Sequence, residues 1–140
     1  MAKFWIAVAS QEHVKQGVSE GIMQVCHGKQ SPLKRIKPGD WIIYYSPKEY
    51  FGEKKPCRKF TALGIIKNAE PYQFKMTDDF IAWRRDVTFF NAKEIAIEPL
   101  IDKLSFIKNK KSWGFIFRFG LLEIPETDFR LIASTMGMNF

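Results

Sequence analysis

The sequence predicts an α+β domain, built around a curled or closed sheet of five or six mostly antiparallel strands with short flanking helices. Residues 4–9 and 41–45 are apolar or aromatic at every position, whereas a strand with one solvated face alternates apolar and polar side chains. Both faces must therefore be covered, as when one face fills a small barrel and a helix packs on the other. The length of 140 residues, with 46% apolar and 26% charged residues, is typical of one globular domain over residues 1–140.

The first half of the chain is predicted to form a strand, a helix, an irregular segment and a second strand. Residues 3–10 form the first strand, and Ser10 is placed to cap a short helix that carries Val14 and Val18 four residues apart. Residues 21–36 mix Gly, Pro and charged residues, which indicates irregular chain. The next strand, 40–46, ends in two tyrosines whose hydroxyls each need a hydrogen-bond partner.

The second half supplies the remaining strands and a C-terminal helix. Apolar runs predict further strands at 60–67, at 86–90 and, interrupted by Gly114 and Gly120, at 113–124. The pair Asp78-Asp79 indicates a cap on the solvated surface, and Pro99 suits the first position of one or two helical turns. A helix follows Pro125, with apolar residues at helical spacing at Phe129, Ile132 and Met136.

The overall charge points to two classes of explanation. The formal net charge is +7 and the sequence pI is about 9.5. Such a surplus of Lys and Arg favours polyanionic partners, through phosphate contacts and counterion release, but it also serves plain solubility. No run reaches the roughly 18 to 20 apolar residues of a membrane span, and we find no signal peptide, so a cytoplasmic protein without membrane partners is expected.

Neither catalysis nor metal binding is predicted. Cys26 and Cys57 fit no metal-ligand spacing and no disulfide framework. His13 follows Ser10 by three residues, but no acid is placed to orient the imidazole, so a helix cap beside a surface histidine is the simpler interpretation. We therefore expect no catalytic residue, no metal and no cofactor.

Cations and aromatic residues occur together at several places in the chain. Tyr50 and Phe51 precede Lys54-Lys55, Trp83 precedes Arg84-Arg85, and Phe106 and Trp113 flank a lysine cluster at 108–111. Nucleic-acid binding needs this combination, because cations follow the phosphates and aromatic faces stack on bases. Each residue taken singly can equally be core or solvated surface; a functional site requires that several converge on one pocket.

The chain resembles the EVE domain family, whose small proteins have a PUA-like fold and are related to the YTH readers of methylated RNA. The resemblance is carried by "FWIAVASQEHV", "GIMQVCHGKQSPLKRIKPGDWIIYYSP", "FTALGIIKNAEPYQ", "RRDVTFF", "LSFIKNKKSWGFIFRFGLLEI" and "DFRLIASTMG", in that order over nearly the full length. It implies a PUA-like pseudo-barrel with a pocket on one side. It also implies binding of DNA or RNA that carries a modified base, with modified cytosine in DNA suggested for the family.

The resemblance and the nearby aromatic residues nominate a base pocket, and the clusters of cations supply candidates for its rim. The base pocket would include Trp5, Ser10, Tyr44, Tyr45, Ser46, Trp83 and Phe106. The basic rim for phosphates would include Lys29, Lys34, Arg35, Arg84 and Arg85, on the face that carries the pocket mouth. The segment that gives YTH domains a cage tryptophan has no aromatic residue here, where residues 22–26 read IMQVC.

Tyr44 and Tyr45 should point to opposite faces of their strand, because successive side chains alternate. The adjacent Ser46 favours Tyr44 as the pocket residue, on the face of Ile42, and leaves Tyr45 as core on the face of Trp41 and Ile43. The sequence thus favours a nucleic-acid-binding module that is not an enzyme. The alternatives are an enzyme or accessory subunit acting on a nucleotide-like anion, and a plain interaction protein.

Overall fold

A curled mixed sheet forms the centre of the fold. The computed structural model describes residues 1–67 and 70–139, and its strands are β1 (Phe4–Val8), β2 (Ile22–Met23), β3 (Trp41–Lys48), β4 (Pro56–Ile66), β5 (Tyr72–Thr77), β6 (Phe80–Phe89), β7 (Ile95–Ala96) and β8 (Leu121–Ile124). Their order is β2-β6-β4-β3-β1-β8, with β5 paired to β6 and β7 paired to β4. Only β1 and β3 are parallel among the described pairs. The predicted α+β pseudo-barrel is confirmed, with eight strands instead of five or six.

Short helices flank this sheet. They are α1 (Gln11–Glu20), α2 (Gln30–Lys34) and α3 (Glu126–Thr135), with a turn at Cys26–Gly28 and 3-10 helices at Glu98–Leu100 and Phe115–Phe119. The predicted cap is confirmed, because Ser10 Oγ accepts a hydrogen bond from the His13 backbone N–H at 3.3 Å. Val14 is buried as predicted, but Val18 is 38% exposed. No helix within residues 1–67 and 70–139 is long and apolar enough to cross a membrane.

Both faces of β3 are buried, which explains its unbroken apolar run. Ile43 and Tyr45 belong to a core that includes Phe129 of α3. Ile42 and Tyr44 belong to a second core that includes Val14 of α1. The two tyrosines therefore point to opposite faces, as the alternation of the strand predicts.

Three segments differ from the sequence predictions. Residues 21–36 contain β2 and α2, instead of being irregular throughout. Residues 72–89 form a β5–β6 hairpin, and Asp78 and Asp79 lie exposed in its turn, where they begin no helix. The alternating aromatics of 113–119 suggested a strand, but Phe115–Phe119 is a 3-10 helix that turns Phe117 alone fully inward. Gly120, with φ 78°, ends this helix in a conformation that side chains rarely tolerate.

Candidate functional site

A cavity of about 450 Å³ opens beside the ends of β1 and β3. Val8 and Tyr45 come from these two strands, Lys54 comes from the loop before β4, and Arg58 comes from β4 itself. The lining also includes Trp113 and Gly114, and Phe117 and Arg118 of the last 3-10 helix. The volume of this cavity is in the range of ordinary small-molecule sites.

Three aromatic rings form one wall of this cavity. The rings of Tyr45 and Phe117 stack with centroids 4.1 Å apart and planes 25° apart. The half-buried ring of Trp113 meets both edge-on, at 6.5 Å from each. Tyr45 and Phe117 are almost fully buried, so their orientation is fixed by packing. Trp113 is the most exposed of the three rings, so a planar ligand would pack mainly on Trp113, beside the two rigidly held rings.

The hydroxyl of Tyr45 forms no hydrogen bond that involves the described residues, although the side chain lines the cavity. Burial raises the pKa of Tyr45 above its ordinary value, and the nearby Arg58 opposes that rise only in part. The hydroxyl therefore stays protonated at neutral pH and can donate or accept a hydrogen bond. Since the side chain lines the cavity, this hydrogen-bonding capacity is available to a ligand.

The rim of the cavity is cationic. Lys48, Lys54, Arg58 and Arg118 line it, and no carboxylate does so in the described part of the chain. Arg58 forms one exposed ion pair, to Glu98 at 3.8 Å, which is worth little in water. Arg118 comes from residues 103–122, which contain five Lys or Arg and no Asp or Glu. The cavity is therefore suited to an anionic ligand.

A strained turn supports the wall that carries Phe117. Cys26 and His27 both have positive φ, 51° and 61°, which is costly for residues other than glycine. Cys26 Sγ donates to the Phe119 carbonyl at 3.6 Å, and a Cβ on Gly120 would lie 2.7 Å from that sulfur. The turn thus fixes the end of the 3-10 helix.

Cys26 and Cys57 are free thiols, and no group of His, Cys, Asp and Glu among the described residues could hold a metal.

Four of the predicted pocket residues have polar groups that already form hydrogen bonds within the protein. Trp5 Nε1 donates to Asp40 Oδ2 at 2.9 Å, and Tyr44 Oη donates to the Gln24 carbonyl at 3.1 Å. The Ser46 hydroxyl pairs with that of Thr61 at 2.8 Å, while Ser10 caps α1. Tyr45, and not Tyr44, lines this cavity, whereas the sequence favoured Tyr44 as the pocket residue.

The other two predicted pocket residues lie outside this cavity. Trp83 is half-buried on β6 and packs against the core that contains Tyr44. Phe106 is buried, and its ring meets that of Phe117 edge-on at 6.2 Å. Phe106 thus packs against the aromatic wall, and it also lines a second, neighbouring cavity.

The predicted rim cations do not line the cavity. Arg85 is buried and donates from Nη1 to the carbonyls of Leu33 and Ile36. Arg84 is also buried, where its guanidinium lies over Phe74 at 3.7 Å and Nη1 pairs with Glu20 at 3.7 Å. Both arginines are buried, so neither lies on the rim of this cavity.

Lys29, Lys34 and Arg35 are exposed, but they belong to α2 and its ends. Arg35 lies over the Trp5 ring at 5.2 Å. Of the cations that do line the cavity, Arg118 stands alone in the sequence, Lys54 and Arg58 follow Tyr50 and Phe51, and Lys48 lies outside the clusters that the sequence indicated. Proximity of aromatics and cations was therefore a useful signal, although the sequence did not indicate which cluster it marked.

Comparisons with known proteins agree on the family. The model of the EVE domain matches residues 3–135. The chain is 50% identical over 139 residues to UPF0310 protein msl3206 of Mesorhizobium japonicum, covering 98% of this chain and 93% of the relative. It is 41% identical over 136 residues to UPF0310 protein YdcG of Bacillus subtilis, covering 97% and 93%.

Solved structures share the fold at low sequence identity. Protein Atu2648 from Agrobacterium tumefaciens superposes with a TM-score of 0.60 at 11% identity, over 98% of this chain and 94% of that one. A hypothetical protein from Leishmania major gives 0.61 at 8% identity, over 98% and 96%.

Proposed function

Since this chain belongs to the EVE domain family, whose fold is that of a PUA-like binding module, we propose that it binds nucleic acid through the cavity beside Tyr45. One base of the strand enters the cavity and packs on the aromatic wall, while the phosphates contact the rim. The observation that carries this proposal is the combination of three clustered rings with four cations and no described carboxylate.

The energetics of this arrangement favour a base over a smaller anion. Stacking on aromatic side chains is worth about 1 to 3 kcal/mol per base, and each neutralised phosphate adds affinity that falls with salt. An extruded base costs a few kcal/mol to unstack. The rings and the rim together can offset that cost, whereas the rim alone would bind any polyanion.

Selectivity for a modified base is part of the same proposal. The Tyr45 hydroxyl is a polar group without a described partner at the aromatic wall, and such groups discriminate by the ligand atom that satisfies them. The family resemblance suggests modified cytosine in DNA. We propose binding without turnover, so that the module reads the base and leaves its chemistry unchanged.

The test is a binding panel of fluorescein-labelled nonamers, measured by anisotropy between 50 and 300 mM salt. The central base is cytosine, 5-methylcytosine, 5-hydroxymethylcytosine or N6-methyladenine, each in single- and double-stranded DNA and in RNA. We expect affinity to fall with salt with a logarithmic slope of about −3 for a single strand that contacts four cations. We expect one modified base to bind more tightly than cytosine.

A matched pair of tryptophans locates the site. Trp113→Ala removes a ring from the cavity and should lower affinity by about 1 to 3 kcal/mol. Trp83→Ala removes a ring of the same size from β6, away from the cavity, and should leave the affinity of the folded protein unchanged. Absence of binding to every probe at 50 mM salt, or equal effects of the two substitutions, would refute the proposal.

A further inference from the structure

A second cavity, of about 420 Å³, shares Trp113 with the first. The 3-10 helix Phe115–Phe119 divides its side chains between the two: Phe117 and Arg118 line the first, whereas Phe115, Ile116 and Phe119 line the second. The two cavities are therefore adjacent, and one short element contributes to both.

Two aromatic rings at this second cavity are unusually exposed. Phe119 is 66% exposed and Phe115 is 58% exposed, and their rings meet edge-on at 6.2 Å. Scattered apolar residues are normal on a surface, but a group of them at a concave site marks a surface that binds something. Exposed aromatic faces suit any ligand with flat rings.

The charge around the second cavity selects among such ligands. Lys108 lines it, and the lining contains no described carboxylate. Lys108 and Lys111 form no ion pair with described carboxylates, whereas Lys110 Nζ is held by the carbonyls of Ile101 and Leu104 at 2.8 Å. Flat rings joined by anionic groups complement this surface, and a nucleic-acid strand has that chemistry.

We propose that the second cavity binds the base next to the one held beside Tyr45, so that the protein binds two successive nucleotides of a single strand. Arg118 lines the first cavity and its guanidinium lies over the Phe115 ring at 5.4 Å. It is therefore placed where the phosphate that joins the two nucleotides passes. This inference rests on the proposed function and extends it from one base to two.

The experiment removes the neighbouring base without removing its phosphate. The probe is the single-stranded nonamer of the panel above that binds most tightly, with an abasic sugar placed either 5′ or 3′ of the central base. We expect one of the two abasic probes to bind wild-type protein about 5-fold to 150-fold more weakly, as for a lost stacking partner, and the other to bind unchanged.

The double variant Phe115→Ala/Phe119→Ala should show the same loss with the intact probe and no further loss with the sensitive abasic probe. Ile81→Ala, a control on the β5–β6 hairpin whose side chain is 56% exposed, should match wild type. The abasic arm uses wild-type protein, so it decides the matter even if the double variant folds poorly.

Each adverse result has its own meaning. Tight, salt-dependent binding with neither abasic position sensitive would overturn the two-base inference and leave the proposed function standing. Absence of binding to every probe would end both. A dimer that the double variant dissociates, with unchanged oligonucleotide affinity, would assign the second cavity to another copy of the chain and overturn the inference.

Discussion

Tyr44 and Tyr45 are consecutive residues of β3, but their hydroxyl groups differ in the hydrogen bonds that the protein offers them. Tyr44 is buried against the core that includes Trp5, and its hydroxyl donates to the Gln24 carbonyl at 3.1 Å. Tyr45 is equally buried by area, but its ring lines an open cavity and its hydroxyl has no partner among the described residues. We call these two environments the Tyr44 side, with Trp5 and Asp40, and the Tyr45 side, with Phe117 and Trp113.

The difference shows that aromatic content does not distinguish a core from a binding site in this fold. Both sides contain a tyrosine and a tryptophan. On the Tyr44 side, Trp5 Nε1 and Tyr44 Oη both donate to protein acceptors, so neither of these groups is left for a ligand. On the Tyr45 side a hydroxyl and a cationic rim remain available. Unsatisfied hydrogen-bonding capacity is therefore the better indicator of a binding site.

Removal of Asp40 should produce the largest loss, because this carboxylate holds the Tyr44 side together. It is buried and accepts from the backbone N–H groups of Lys3 and Lys37 and from Trp5 Nε1, each at 2.9 Å. Asp40→Ala leaves three donors without their acceptor and should cost about 3 to 5 kcal/mol in the free energy of unfolding. Urea denaturation measures it, with the exposed Asp102→Ala as a control expected within about 0.5 kcal/mol of wild type. Similar stabilities of the two variants would show that Asp40 does not secure this side.

Loss of each tyrosine hydroxyl tests the comparison most directly. Tyr44→Phe leaves the Gln24 carbonyl without its donor and should lower the free energy of unfolding by about 1 to 2 kcal/mol. Tyr45→Phe breaks no described hydrogen bond and should change stability by less than about 0.5 kcal/mol. Oligonucleotide affinity should show the opposite order, with a loss only for Tyr45→Phe. If Tyr44→Phe is the variant that impairs binding at normal stability, the two sides have been assigned the wrong way round.

The sequence predicted the parts of this comparison that depend on local pattern. The unbroken apolar run of 41–45 required that both faces be covered, and the alternation of a strand placed Tyr44 and Tyr45 on opposite faces. Ser10 was recognised as a cap because capping involves only the next few residues. Such features do not depend on how distant segments meet.

The sequence could not predict which tyrosine faces the cavity, because part of the lining comes from Trp113, Gly114, Phe117 and Arg118, some 70 residues further along the chain. Those residues also resembled a strand. Arg85 was misassigned for the same reason. Arginine is usually exposed, and the acceptors that permit its burial are the Leu33 and Ile36 carbonyls, 52 and 49 residues away.

Substitution of single lysines distinguishes the observed rim of the cavity from the rim that the sequence predicted. Lys48→Ala and Lys54→Ala each remove a charge from the cavity on the Tyr45 side. Each should reduce the magnitude of the salt slope of single-strand binding by about 0.7, with a uniform loss across probe sequences. Lys34→Ala removes an equally exposed charge on α2 and should leave the slope unchanged. Anisotropy titrations at four salt concentrations measure these slopes. If only Lys34→Ala reduced the salt slope, the phosphates would have to pass along α2, on the Tyr44 side, and not along the rim of the cavity.

The smallest expected effect is a pH dependence of stability that originates on the Tyr44 side. Burial lowers the pKa of His13 below its usual 6.5, the charge of Arg84 lowers it further, and Glu20 partly opposes them. The unfolded chain then binds a proton at higher pH than the folded protein does. Stability should therefore be complete above pH 6.5 and decline as the pH falls from 6.5 toward the lowered pKa.

His13→Gln should flatten this dependence, because glutamine does not titrate and the Ser10 cap uses only the backbone N–H of residue 13. The sequence has two histidines, so His27→Asn is the matched control; asparagine tolerates the positive φ at that position, and His27 is exposed. Melting temperatures between pH 7.5 and 5.5 measure the slope, a range in which carboxylates with ordinary pKa values contribute little. His13 is only half-buried, so water screens its charge and the slope should be shallow. The pH dependence of the melting temperature could instead disappear in His27→Asn and persist in His13→Gln. That result would show that His13 is solvated and takes up its proton as readily in the folded protein as in the unfolded chain.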